Sequence, residues 1–439
     1  MATTYITRTA SANNNSVGKW TFSCWIKRNA ISVETNIISF YTDSSNRSAL
    51  RFDADDKLRF YEVVSGSTVV TKLTNRLFRD PSAWYHIMLA VDKTLGSPET
   101  QIYINGVEET SFATDDGYTQ DQAGNFNQAI PIFINAESAG SGVQGICLSH
   151  VHFVDGTQYS PTTFGSTDST TGIWKINTNP SVTYGTNGFF ILKDGNSVTD
   201  QSGNSNNFTV GAGTLTNTED NPSNNFPVLN QLNSQASGYT FDGLGSLSVT
   251  GNTGDAWRTM YATIGASSGK YYWEQKITNF TGSDPHYIGI VSDDQVGQLN
   301  IDQATTSRGY FYTKTGGKRN NDSQTSYGDS WTTNDIVGIA LDLDNSKLYF
   351  SKNGTWQDSG DPTSGSTGTG AAFTITSGYT YIPATSTYYN LNRYDMNFGN
   401  GYFGTTAISS EGTNASNIGK FEYDVPTGYT ALCTKGLNE

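Results

Sequence analysis

Positive charge is in short supply in this chain: 26 Lys and Arg stand against 40 Asp and Glu in 439 residues, a formal net charge of −14. Affinity for nucleic acid rests on clustered cations that displace counterions from phosphates, so the balance argues against a nucleic-acid partner and against anionic membrane surfaces. It reads most simply as solubility. Cysteine is scarce as well. Cys24, Cys147 and Cys433 are odd in number and far apart, which leaves no metal or redox spacing and suggests three small apolar side chains. No apolar run approaches the length of a membrane span, and the opening MATTYITRTASANNNSVGKW lacks the charged-then-apolar pattern of a secretory leader. The expectation is a chain made and folded in a cytoplasm, without membrane insertion. Helical periodicity never extends beyond a turn or so, and there are no heptads, Gly-X-Y repeats or β-helical repeats to build a shaft.

What remains is rich in strand formers and turn formers. Hydrophobic content is 35% and charged content 15%, but aromatics reach 13%, with Tyr 25, Phe 22 and Gly 46. That profile suits many short strands joined by Gly and Asn turns. In KWTFSCWIKR, Trp20, Phe22, Cys24 and Ile26 face one way and Thr21, Ser23, Trp25 and Lys27 the other. WYHIMLAVD (84–92) is apolar on both faces, as an interior strand covered on each side would be. TQIYINGVEE carries an Asn105-Gly106 hairpin. In LDLDNSKLYFSKNGTW (341–356), Leu341 and Leu343 continue the face of Val337 and Ile339, Leu348 and Phe350 return after the Asn345-Ser346 turn, and Asn353-Gly354 supplies a second tight turn. The chain reads as all-β: two antiparallel β-sandwiches of jelly-roll type in series with a short C-terminal extension. The expected boundaries are 1–226, a linker at 227–235 where Pro227 opens a polar run, 236–405, and an extension at 406–439 in which Phe421, Tyr423 and Val425 form a last strand.

The second half resembles a SPRY domain. SSGKYYWEQKI (267–277) resembles that family's glycine-lysine-aromatic-Trp-Glu strand, YIGIV (287–291) its next strand, YGDSWTTNDIVGIALDLDNSKLYFSKNGTW (327–356) its most diagnostic run, and NFGNGYF (397–403) its closing motif. In the first half, WTFSCWIKR, WYHIMLAVD and QIYINGVEE resemble the strand set of laminin-G-like, concanavalin-like jelly rolls. LSHVHFVDGTQYSPTTFG, followed by YGTNGFFIL, DQSGNSNNFTV and NPSNNF, is similar to a variant found in structural proteins of tailed phages. The resemblance implies a phage virion protein. SPRY domains are generally binding modules that use loops at one rim of the sandwich, and jelly rolls of the first type bind glycans or proteins, some with calcium, while some relatives are glycanases. Neither fold implies chemistry by itself.

Each candidate site has a structural reading beside the functional one. A glycanase needs two carboxylates across one groove, commonly as Glu-x-Asp-x-Glu or Glu-x-Asp-x-x-Glu, and no such spacing occurs. Glu108-Glu109 and Asp115-Asp116 read as solvated charges. FDADD (52–56) offers Asp53, Asp55 and Asp56 to calcium, but a polar turn explains it better. His150 and His152, two apart, could face one side, yet no Cys pair and only His86 and His286 remain to complete a zinc site, so a sheet edge or interface is expected. The segment RGYFYTKTGGKRNNDSQTSYGDSW (308–331) is the strongest ligand-binding candidate: Arg308, Tyr310, Tyr312, Lys318, Arg319, Asn321 and Tyr327 combine aromatic faces with hydrogen-bonding and cationic groups that suit a glycan or a protein. TYYNLNRYD adds Tyr388, Tyr389 and Arg393. Tyrosines alternating along a strand also serve as core, and Lys352, Asn353 and Trp356 read as hairpin scaffold. The expectation is a non-enzymatic virion protein without metal or cofactor. It would be a fibre or spike adhesin that binds a host-surface glycan or protein in several copies or as a homo-oligomer, beside other virion proteins. The alternatives are a capsid decoration or head-fibre protein and, third, a glycan-cleaving enzyme.

Overall fold

The computed structural model describes residues 4–13, 18–233, 238–242, 247–251, 256–280, 286–297, 306–388 and 392–438. The chain is all-β and divides into two compact units, one ending at Asn217 and the other beginning at Thr218.

In the first unit the period-two pattern yields two facing antiparallel sheets. The larger runs Phe112–Asp116, Ser67–Leu77, Lys57–Val64, Asn46–Phe52, Thr35–Asp43, Pro131–Ile134, Tyr5–Thr9, Thr209–Ala212; the smaller runs Phe189–Ile191, Ile146–Asp155, Lys19–Arg28, Trp84–Asp92, Glu99–Ile104, Val107–Glu108. Between them Trp20, Phe22, Cys24 and Ile26 meet Leu50, Phe52, Leu58 and Phe60, all buried. Trp20 lies parallel to Phe126 with ring centroids 4.6 Å apart. The opposite face of the smaller sheet is covered too. Met88, Ala90 and Val154 pack there against Phe164, Tyr184 and Phe190, which explains why WYHIMLAVD is apolar on both faces. Asn105 and Gly106 both take positive φ, 50° and 78°, as a type I′ turn requires, and the Trp174 ring leaves no room for a Cβ at Gly106.

FDADD forms the expected turn, with each carboxylate committed to cations. Asp53 pairs with Arg51 at 2.8 Å, Asp55 with Lys57 at 3.0 Å, and Asp56 with Arg28 at 2.9 Å and Arg79 at 3.1 Å. Arg28 and Asp56 are both fully buried, and Ser32 N–H also donates to Asp56 at 2.6 Å. The placement of His150 and His152 corrects the sheet-edge expectation. Their strand lies inside the smaller sheet, paired with Lys19–Arg28 and Phe189–Ile191, and a register shift between Ser149 and His152 accompanies a positive φ at His150. His152 is buried against Phe164, Tyr184 and Phe190.

The described residues of the second unit again form two main sheets, besides a two-stranded ribbon of Tyr402–Phe403 and Thr406–Ala407. One orders Tyr239–Asp242, Ser248–Gly251, Arg393–Asn397, Lys270–Asn279, Ile336–Asp342, Lys347–Lys352, Thr355–Trp356; the other Arg258–Tyr261, Tyr381–Thr387, His286–Ser292, Gly309–Thr313, Gly317–Asn320, Ser323–Ser326. The hairpin of residues 347–356 is scaffold as read: Asn353 has φ 47°, Gly354 φ 79°, and the Asn353 side chain accepts from Ile336 N–H and donates to Asp335.

The unit's two ends differ from expectation. Of the residues expected as linker, Val228 and Leu229 are buried, with Thr263 N–H donating to the Val228 carbonyl and Asn230 N–H to Tyr261; residues 234–235 lie outside the described part. Apolar side chains inside a polar run belong to the sandwich. The expected extension is also part of it. Ile418, Phe421, Val425, Tyr429, Leu432 and Cys433 are core residues. Strand Lys270–Asn279 pairs with Arg393–Asn397 only from Glu274 onward, and Thr430–Ala431 fills the vacated edge by pairing in parallel with Tyr271 and Tyr272. Residues 421–425 form no strand, because the N–H groups of Glu422 and Tyr423 donate at 2.9 Å to the buried Glu274 carboxylate.

Candidate functional site

The 308–331 segment folds into three short strands, Gly309–Thr313, Gly317–Asn320 and Ser323–Ser326, at the border of the second unit's sheet that starts with Arg258–Tyr261, and that geometry sorts the candidate residues. Tyr310, Tyr312 and Tyr327 are 5%, 0% and 7% exposed and belong to the core, which corrects their reading as ligand contacts. Alternation on Gly309–Thr313 places Tyr310 and Tyr312 on the sandwich side, where their rings meet Phe373, Tyr381 and Phe350.

Their hydroxyls, however, reach the rim and hold loop backbone. Tyr312 donates to the Asp329 carbonyl and Tyr327 to the Gly370 carbonyl at 3.2 Å. The Tyr310 hydroxyl accepts from Thr376 N–H at 3.1 Å, and Tyr381 donates to the Thr376 carbonyl at 2.7 Å. Burial pushes the Tyr312 and Tyr327 hydroxyls above their ordinary range, so both stay protonated as donors. The tyrosines therefore fix the loops instead of touching what the loops touch.

Charged residues line the outside of this frame. Arg308 is ion-paired with Asp294 and lies 4.4 Å over the Tyr379 ring, and the same pairing holds the Asp294 carboxyl below its usual range. Lys318 sits over two rings, 5.5 Å from Tyr327 and 5.9 Å from Phe373, with no carboxylate in ion-pair range among the described residues. Arg319, next along the strand, points to the opposite face, pairs with Asp322 at 2.5 Å and lies over Tyr287 at 5.4 Å. Tyr388 belongs to that second face, since Trp257 stands 5.5 Å from Tyr388 and 5.1 Å from Tyr287. Asn321 is an exposed turn residue at φ 48°. Arg393 is on a central strand, its Nε 3.6 Å from Asp395, and Tyr389 lies outside the described residues.

The structure thus gathers Arg308 and Lys318 at one rim and sends Arg319 and Tyr388 elsewhere. Sequence reasoning missed Asp294, Phe373 and Tyr379, which come from segments remote in sequence.

Chemistry at the other polar clusters is constrained. Ser23 Oγ and His86 Nε2 lie 2.9 Å apart, but the Trp174 indole N–H donates to His86 Nδ1 at 3.1 Å. The neutral ring therefore carries its proton on Nε2 and donates to Ser23, the wrong tautomer for activating a hydroxyl. Burial depresses His86 to about 3. Among the described residues no group of three or more His, Cys, Asp and Glu is placed to share a metal ion, and no helix is long and apolar enough to cross a membrane.

Residues 2–146 match the concanavalin A-like lectin/glucanases superfamily, and residues 270–401 match the SPRY domain. Among curated proteins, ATP-dependent RNA helicase DDX1 of Xenopus laevis is 33% identical over 102 residues, 22% of this chain and 12% of that protein. Ddx1 of Drosophila melanogaster is 33% identical over 99 residues, 22% of this chain and 13% of that protein. The chain thus spans about an eighth of the length of these relatives. Among solved structures, the SPRY domain of human HERC1 is similar at 22% identity, covering 34% of this chain and 87% of that one with a TM-score of 0.29. The TRIM65 PSpry domain is similar at 10% identity, covering 39% and 91% with a TM-score of 0.29.

Proposed function

We infer function from a concanavalin-like domain followed by a SPRY domain. We propose that the chain is a non-enzymatic binding protein of a tailed-phage particle, displayed in several copies, and that the SPRY rim around Arg308 and Lys318 contacts a glycan or protein of the host surface. The observation that carries the reading is Lys318: a cation held over two aromatic rings, without an anionic partner among the described residues, in a chain whose net charge is −14. Such an ammonium is positioned by packing and stands open to a hydroxyl-rich or carboxylate-bearing ligand. The loops beside it are tied to core tyrosines, so little loop entropy is lost on binding. The phage assignment rests on the motif resemblance of LSHVHFVDGTQYSPTTFG and DQSGNSNNFTV.

The test is binding of purified protein to host envelope preparations. Lys318→Glu is expected to weaken binding at least tenfold without lowering the melting temperature, and unchanged affinity would remove the rim from the account. Immuno-gold labelling of intact virions against residues 308–331 gives the location. Label at the tail supports host recognition, whereas label over the head favours decoration of the capsid.

A further inference from the structure

We infer that the second unit holds a saccharide pocket separate from the SPRY rim, walled partly by residues beyond the SPRY match. It is a half-open cavity of about 420 Å³, formed by Gly269, Lys270 and Tyr271, the hairpin residue Asp344, and a C-terminal wall that includes Ser416, Gly428 and Thr430. That size falls within the range of small-ligand sites, roughly 300 to 1,000 Å³. The space exists because Thr430–Ala431 pairs with only two residues of strand Lys270–Asn279, and because glycine stands at key points of the wall. Gly269 has φ +89°, and a Cβ there would fall 2.7 Å from the Tyr271 hydroxyl; at Gly428 a Cβ would meet open space.

The lining carries hydrogen-bonding groups that the protein leaves unused. The Tyr271 ring is buried, but its hydroxyl is open to solvent at the cavity wall and has no hydrogen-bond partner among the described residues. The Thr430 hydroxyl is buried and unpartnered. A buried hydroxyl without a partner costs about 1–3 kcal/mol, so the one at Thr430 is an unmet demand in the wall, and the solvent-facing Tyr271 hydroxyl beside it is open to a ligand. Asp344 uses one carboxylate oxygen to accept from Gly269 N–H at 2.8 Å, leaving the other. The Lys270 ammonium donates to Asp342 at 3.0 Å and keeps further N–H groups.

This mixture selects the ligand class. A phosphate would meet one ammonium flanked by the carboxylates of Asp342 and Asp344, and repulsion disfavours it. An apolar ligand would strand the hydroxyls. A neutral pyranose, whose hydroxyls both donate and accept, satisfies Tyr271, Asp344 and Lys270 together. The site does not depend on the rim reading.

Saturation-transfer NMR on the full chain tests it, with methyl α-D-glucopyranoside, methyl α-D-mannopyranoside and methyl β-D-galactopyranoside as probes and inorganic phosphate as the competitor. Transfer to at least one glycoside is expected, weakened at least tenfold by Ala415→Trp, which fills the cavity from an exposed wall position, and weakened by Tyr271→Phe. Lys318→Glu at the rim is expected to leave the signal intact. Absence of transfer to all three glycosides, transfer that survives Ala415→Trp, transfer lost in Lys318→Glu, or displacement by phosphate would each overturn the pocket.

Discussion

The two sandwiches solve the same packing problem with different aromatics. The main core of the second unit contains ten tyrosines among its buried residues, Tyr239, Tyr271, Tyr272, Tyr310, Tyr312, Tyr327, Tyr349, Tyr381, Tyr394 and Tyr429; that of the first contains one, Tyr118, and relies on Phe and Ile. A buried phenylalanine ends where its ring ends. A buried tyrosine must place its hydroxyl, and in the second unit several of those hydroxyls end on loop backbone: Tyr312 on Asp329, Tyr327 on Gly370, Tyr381 on Thr376, Tyr429 on Pro362. The first unit places its polar strain elsewhere, in a fully buried Arg28–Asp56 pair beneath a turn. One core holds its loops through buried charged groups, and the other through tyrosine hydroxyls.

That difference can be broken in several ways, beginning with the largest effect. Acid should open the first unit before the second. His86 is held at about 3, His150 at about 4, and His152 well below the ordinary value, each chiefly by burial; the second unit has His286 alone at about 3. A histidine whose folded value is depressed gives stability that is complete above the unfolded value near 6.5 and is lost as pH falls. For His86 the loss reaches about 5 kcal/mol across the window from 6.5 to 3. Hydrogen exchange followed by mass spectrometry between pH 7 and 4 should therefore show peptides of 84–155 losing protection at higher pH than those of 270–350; the reverse order would contradict the comparison.

Next in size, Asp56→Ala should cost the first unit about 3–5 kcal/mol, because it strands the buried Arg28 guanidinium. Calorimetry should register a lower melting transition, and exchange should assign it to the first unit only.

Glu274 carries the opposite pH sign. Burial raises it to about 7, against the hydrogen bonds it accepts from Glu422, Tyr423, Tyr272 and Asn397. A carboxyl whose folded value lies above its unfolded 4.5 binds protons more tightly when folded, so its contribution is fully present below 4.5 and declines by about 3 kcal/mol as pH rises through 7. Protection of residues 418–433 should weaken over that interval in the native chain, and Glu274→Gln should flatten the dependence. The smallest effect is expected from Tyr381→Phe, about 1 kcal/mol, with faster exchange confined to residues 374–378.

Much of this architecture was legible in local patterns. Alternation in KWTFSCWIKR and in the 337–356 run, with Asn-Gly at 105–106 and 353–354, fixes strand, face and turn through geometry that spans only a few residues. The rim was legible in part. Arg308 and Lys318 lie where a binding loop was expected, but nothing in RGYFYTKTGGKR separates Lys318 from Arg319, since their opposite faces follow from the register that pairs Tyr312 with Lys318. Asp56 gave no warning of burial, because a turn aspartate and a core aspartate have the same neighbours in sequence.

The sequence by itself determined an acidic, helix-poor chain of period-two strands with two domain patterns in order, because alternation, turn residues and motif order are local properties. Only the tertiary structure decided that the 406–438 segment completes a sheet and that the tyrosines of 310–327 are anchors. It also left the hydroxyl of Tyr271 beside a pocket. Those outcomes depend on contacts between residues far apart in the chain, such as Glu274 with Glu422 and Tyr271 with Thr430. Such contacts form when separated strands close over one core, and no local pattern encodes them.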